Sequence, residues 1–222
     1  MTEIVRKVFL IVCIVAAATL AGEKKDRKLY GKEFFPLSAT TRYIYDSSFG
    51  DATTKASLVS GLIETKSEAD NFKYHQKLEM KENGLFIHET YQYIKLLIFI
   101  KKENKVTYNK PFQRYAFPLF VGKEWKDQAV EYIDGDSNKV YLSGKVLAEE
   151  EVNTGAGKFT TIKIETTVES ETGAKNIVTE WLAVNTGLIK ARIEIKGGGL
   201  MGFARDILGY GVITFELKEI RN

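Results

Sequence analysis

The chain has 222 residues, 44% of them hydrophobic and 27% charged, with a formal net charge of +3, two histidines and one cysteine. That length suits one domain with a core of its own, and the near balance of charge implies no polyanion such as nucleic acid as a partner. With so few histidines and cysteines, no Cys-rich or multi-His metal centre is expected, and no cofactor.

The first residues read as an export signal. Arg6 and Lys7 form a basic start, Val8 to Leu20 carry no charge, and Ala16, Ala17, Ala18 and Ala21 supply small residues for cleavage after Ala18 or Ala21. The uncharged run is shorter than the roughly 20 residues that span a bilayer. Residues 1–21 are therefore expected to leave, and residues 22–222 to fold as one domain in the periplasm or outside the cell. Cys13 sits mid-run rather than at its end, so lipid modification is not expected, and the mature chain has no thiol. Loss of Glu3, Arg6 and Lys7 lowers the charge to +2.

After the leader, Phe34-Phe35-Pro36-Leu37 is echoed by Phe117-Pro118-Leu119, with Trp125 beyond the second copy. Phe72 to Glu82 alternates, placing Phe72, Tyr74, Leu78 and Met80 on one face and His75 among charges on the other. Lys158 to Glu169, Leu188 to Ile195 and Gly211 to Glu219 repeat that alternation. In the first of these, Thr160, Ile162, Ile164, Thr166 and Val168 form the dry face. Turn signals separate the runs at Asn83-Gly84, Asp134-Gly135, Thr154 to Gly157, Thr172-Gly173 and Thr186-Gly187. Short connections favour antiparallel neighbours, because a parallel crossover needs a dozen or more residues.

Between Gly197-Gly198-Gly199 and Gly209, the spacing of Leu200, Phe203, Ala204, Ile207 and Leu208 predicts a short helix. The predicted fold is all-β with minor α. It is a single strongly curved antiparallel sheet, or half-open barrel, of about nine to eleven strands, with that helix covering the concave face or mouth.

The segments Phe117 to Trp125, Gly155 to Ile164, Trp181-Leu182-Ala183, Gly187 to Lys190 and Phe215-Glu216-Leu217 resemble a family of bacterial exported β-sheet proteins of unknown function. Gly155 stands where that family usually has proline, and Ala39 and Arg42 replace the glycine and tryptophan of the second echo. The resemblance implies an architecture similar to the carriers that shuttle lipoproteins across the periplasm, and it implies no catalytic residues.

Direct search for chemistry finds little. His75 and His88 read as sheet surface, and Asp134-Gly135-Asp136-Ser137-Asn138 lacks the glycine and glutamate of a calcium loop, having Lys139 and Lys145 there. An enzyme would need Glu131, Asp134 or Glu180 beside a buried histidine. The leading expectation is a non-enzymatic protein that binds or carries an apolar small molecule such as a lipid. Trp125, Trp181, Leu200, Phe203 and Ile207 are the candidate ligand-binding residues. The alternative is a structural or assembly partner of a cell-envelope protein. Contact with the membrane is compatible with both, but not spanning of it.

Overall fold

The computed structural model describes residues 31–96, 100–196 and 211–222. They form twelve antiparallel strands: β1 (Ser38–Ser47), β2 (Gly50–Val59), β3 (Leu62–Ala69), β4 (Phe72–Lys81), β5 (Gly84–Leu96), β6 (Ile100–Ala116), β7 (Glu124–Ile133), β8 (Asp136–Thr154), β9 (Gly157–Ser170), β10 (Lys175–Ala183), β11 (Gly187–Lys196) and β12 (Val212–Arg221). Every strand pairs with its neighbours in sequence, and β1 pairs with β12, so the sheet closes into an up-and-down barrel. This corrects the half-open sheet of nine to eleven strands. Closure removes both sheet edges, which an open sheet of this size would leave as unpaired backbone.

The strand count is exceeded mainly at the start of the chain. Between Ser38 and Ala69 the residues are rich in Ser, Thr and charge and alternate poorly, yet they form three strands. One turn there, Ser60-Gly61, carries both residues in the left-handed region (φ 50° and 82°), which is what a two-residue hairpin demands. The clean runs fall as expected, on β4, β9, β11 and β12. The helix expected at Leu200 to Leu208 lies outside the described residues. Among these, the helical element is a 3₁₀ turn, Gly31–Phe34.

That turn lies at the end of the barrel where the β6–β7 and β10–β11 connections meet. The Asn185 amide donates to Glu33 O (2.7 Å), and the Phe35 ring lies 5.4 Å from Tyr115 and 6.2 Å from Phe117. Phe34, Phe117 and Leu119 are buried together in one core cluster. The two echoed Phe-Pro-Leu segments thus converge on one plug. A second apolar cluster joins Ile189, Ile213, Phe215 and Leu217 of β11 and β12 with Phe72 of β4 and Ile94 of β5. The tip of the long β8–β9 hairpin leans toward β12, where the Ala156 amide reaches Leu217 O (3.4 Å).

One seam departs from the ladder. β6 and β7 pair in register at only three positions, Val106 with Ile133, Thr107 with Tyr132 and Tyr108 with Glu131. Beyond them, side chains join the two strands. Asn109 Oδ1 accepts from the Val130 amide (2.9 Å), Asp127 accepts from the Gln113 amide (2.9 Å) and Lys110 Nζ (2.6 Å), and the Trp125 indole donates to Arg114 O (3.1 Å).

Candidate functional site

The barrel encloses a cavity of about 660 Å³, within the range of small-molecule sites. Aromatic and aliphatic side chains make most of its wall, among them Tyr45, Phe72, Leu85, Val106, Tyr108, Phe112, Val178, Ala191, Ile193 and Phe215. The period-two alternation explains the apolar part of the wall, while β2, β3 and β5 add Thr54, Thr65, Ser67, Thr90 and Gln92. Phe34 and Phe35 line it at the plugged end. Lys102, Asp134 and Asp136 line it at the opposite end, where all three are exposed.

Among the polar residues of the lining, three form a cluster. Gln76 falls between Tyr74 and Leu78 on β4, Glu180 between Val178 and Leu182 on β10, and Arg114 follows Phe112 on β6. They meet inside the barrel. Arg114 Nη1 donates to Gln76 Oε1 (2.6 Å) and Nη2 to Glu180 Oε1 (2.6 Å). The Tyr115 hydroxyl donates to Glu180 Oε2 (2.5 Å), and Gln76 Nε2 to the Tyr74 hydroxyl (3.1 Å).

A β-bulge makes this possible. Tyr115 pairs with Leu85 and Gln113 with Phe86, so Arg114 is the extra residue, and the consecutive Arg114 and Tyr115 side chains both reach the interior. The Trp125 indole holds the bulge through Arg114 O, and its ring meets Tyr115 edge to face at 6.2 Å.

Burial alone would draw the Arg114 pKa down, but the facing Glu180 carboxylate and the neighbouring tyrosines hold it above its ordinary value. The guanidinium therefore stays cationic and the Arg114–Glu180 pair is neutral as a unit. Burial raises the hydroxyls of Tyr74, Tyr108 and Tyr115, which stay protonated as donors. Burial also raises Glu131, which lines the cavity beside Tyr108. Asn104 lines it too, with an Oδ1 that is buried and has no hydrogen-bond partner among the described residues.

Of the residues expected to bind ligand, Trp125 and Trp181 lie among the described ones. Trp125 is buried in the core with its ring over Gly144, outside the cavity lining. Trp181 is on the outer face of β10, where its indole donates to Glu150 and Lys163 Nζ lies 5.0 Å over its ring. Neither lines the cavity, because alternation turns Trp181 outward and close packing spends Trp125 on the bulge. Leu200, Phe203 and Ile207 lie outside the described residues. The sequence signal for the true polar lining was a polar residue interrupting an inward apolar series, as at Gln76 and Glu180.

Both histidines sit on the outer surface, His75 bonded to Glu68 (2.8 Å) and His88 to Glu79 (2.9 Å), so neither faces Glu131, Asp134 or Glu180. Among the described residues no three His, Cys, Asp or Glu side chains gather as a metal site, and no helix is long and apolar enough to cross a membrane.

Residues 127–204 match the model of a DUF3108-like family, a domain of unknown function. The match covers Gly155 to Ile164, Trp181 to Ala183 and Gly187 to Lys190, three of the segments that carry the resemblance to a family of unknown function. Three solved structures are similar at low identity. The hypothetical lipoprotein YmcC from Escherichia coli is 14% identical over 90% of this chain and 94% of its own, with a TM-score of 0.42. A candidate exported protein of YmcC-like fold from Bacteroides fragilis is 13% identical over 85% and 99%, with a TM-score of 0.42. A candidate lipoprotein from Parabacteroides distasonis is 13% identical over 85% and 98%, with a TM-score of 0.40. No curated protein matches the chain.

Proposed function

We propose that this protein is an exported binding protein that holds an apolar small molecule of the lipid class inside its barrel. The observation that carries the reading is the cavity of about 660 Å³, walled by aromatic and aliphatic side chains and floored by one hydrogen-bonded polar cluster. Packed interiors leave few voids larger than a water molecule, so an apolar space of this size is unusual unless something fills it. The polar floor would fix one end of the ligand, and the apolar wall would take the rest. Residues 1–21 support export to the periplasm or beyond. The reading is binding and carriage rather than catalysis, since Arg114, Glu180, Gln76 and Tyr115 at the floor are held in bonds to one another.

The test is native mass spectrometry, with organic extraction, of the protein purified without detergent from the envelope of its own host. A reproducible bound lipid is expected, lost when Ile193→Trp fills the cavity. A mass that stays empty when lipids are offered would overturn the reading. A stable protein partner on an empty barrel would favour the assembly role instead.

A further inference from the structure

We infer that the barrel selects an uncharged ligand, an apolar chain whose leading end carries a hydroxyl or carbonyl oxygen, and that Glu180 is the residue that excludes carboxylates and phosphates. The inference rests on the binding role proposed above and specifies its ligand.

An arginine facing an apolar cavity would ordinarily make that cavity a receptor for anions, because a guanidinium pairs with carboxylate or phosphate through two parallel bonds. Here the protein supplies the anion itself. Glu180 Oε1 lies 2.6 Å from Arg114 Nη2, and Glu180 is only 3% exposed. An anionic head arriving at Arg114 would set a second negative charge beside that carboxylate, in a place with little water to screen the repulsion. Burial keeps the hydroxyls of Tyr74 and Tyr115 beside the cluster neutral, so they do not cancel that charge.

A neutral oxygen meets no such penalty. A guanidinium has five N–H donors; the bonds to Gln76 and Glu180 use two of them, and the Tyr115 hydroxyl lies against the same group. The Arg114 side chain is 23% exposed, and it lines the cavity. A hydroxyl or carbonyl can therefore accept a hydrogen bond from it without disturbing Glu180. Near the exposed end, the buried Asn104 Oδ1, unpartnered among the described residues, is a further acceptor that favours a neutral or donor-bearing ligand over an anion.

The experiment compares dodecanol with dodecanoate, two probes of one chain length, by the intrinsic tryptophan fluorescence of Trp125 beside the cluster. At about pH 8, where a carboxylic acid is ionised, the wild-type protein is expected to bind the alcohol roughly tenfold or more tightly than the carboxylate. Glu180→Gln frees the guanidinium, and it should erase or invert that preference. Circular dichroism checks that the variant folds. Should it not fold, the wild-type protein decides alone: its affinity for dodecanoate should rise as pH falls through the ligand's own carboxyl pKa, while that for dodecanol stays constant. Carboxylate binding that equals or exceeds alcohol binding, or that ignores pH, would overturn the selection and leave the cavity role standing. Failure of both probes to bind either protein would take the cavity role down with it.

Discussion

The Tyr115 hydroxyl donates to Glu180 Oε2 at 2.5 Å, across the barrel interior from β6 to β10. With Arg114 Nη2 on the other oxygen, both Glu180 oxygens are engaged, so strands that are not neighbours in the sheet are joined through one carboxylate. Tyr115→Phe keeps the ring and removes the donor. The expected loss is about 1–3 kcal/mol, the cost of leaving a buried acceptor without its partner. Urea denaturation of wild type and variant, with unchanged slope, measures it.

Removal of the cation should cost more than removal of the whole pair. Arg114→Met leaves a buried carboxylate uncompensated, at about 3–5 kcal/mol. Arg114→Met combined with Glu180→Leu removes both desolvation costs, and it should recover most of that loss. A double variant as unstable as the single one would show that the cluster stabilises the barrel through its charges themselves.

Gly144 lies beneath the Trp125 indole, where a β-carbon would come 2.2 Å from ring atoms. Gly144→Ala must therefore push the indole away, and with it the bond to Arg114 O that pins the bulge. Overpacking of this kind costs about 1–3 kcal/mol. A shifted tryptophan emission maximum together with a lower melting temperature is the expected outcome, and an unchanged emission would contradict the account.

The β6–β7 seam should be sensitive to acid. Burial would raise the Asp127 pKa, but bonds from Lys110 and the Gln113 and Gln128 amides outweigh it and hold the group below the ordinary carboxylate range. A depressed folded pKa adds stability that is complete above the unfolded value, roughly 3.9, and disappears as pH falls through the folded one. Asp127→Asn should thus cost about 1–2 kcal/mol at neutral pH through the lost amide bonds. Thermal melts of both proteins should converge as pH drops below about 4. A gap that persists at low pH would mean the carboxylate charge is not what holds the seam.

The sequence by itself determined the strands of the later chain and the face each one buries. In β9 and β12, hydrophobic alternation is a local property that burial then obeys. The polar interruptions at Gln76 and Glu180 belong to that local pattern too, but nothing local says that they meet. Only the tertiary structure decided that twelve strands close rather than nine to eleven curling openly, because the first three strands carry little apolar alternation and draw their order from their neighbours. It also decided which residues meet. Arg114 bonds partners 38 and 66 residues away, and the bulge that turns both Arg114 and Tyr115 inward breaks the very period on which a sequence reading depends. The same limit explains the tryptophans: a large aromatic residue announces burial, but whether it faces a cavity or packs against Gly144 depends on the strand opposite.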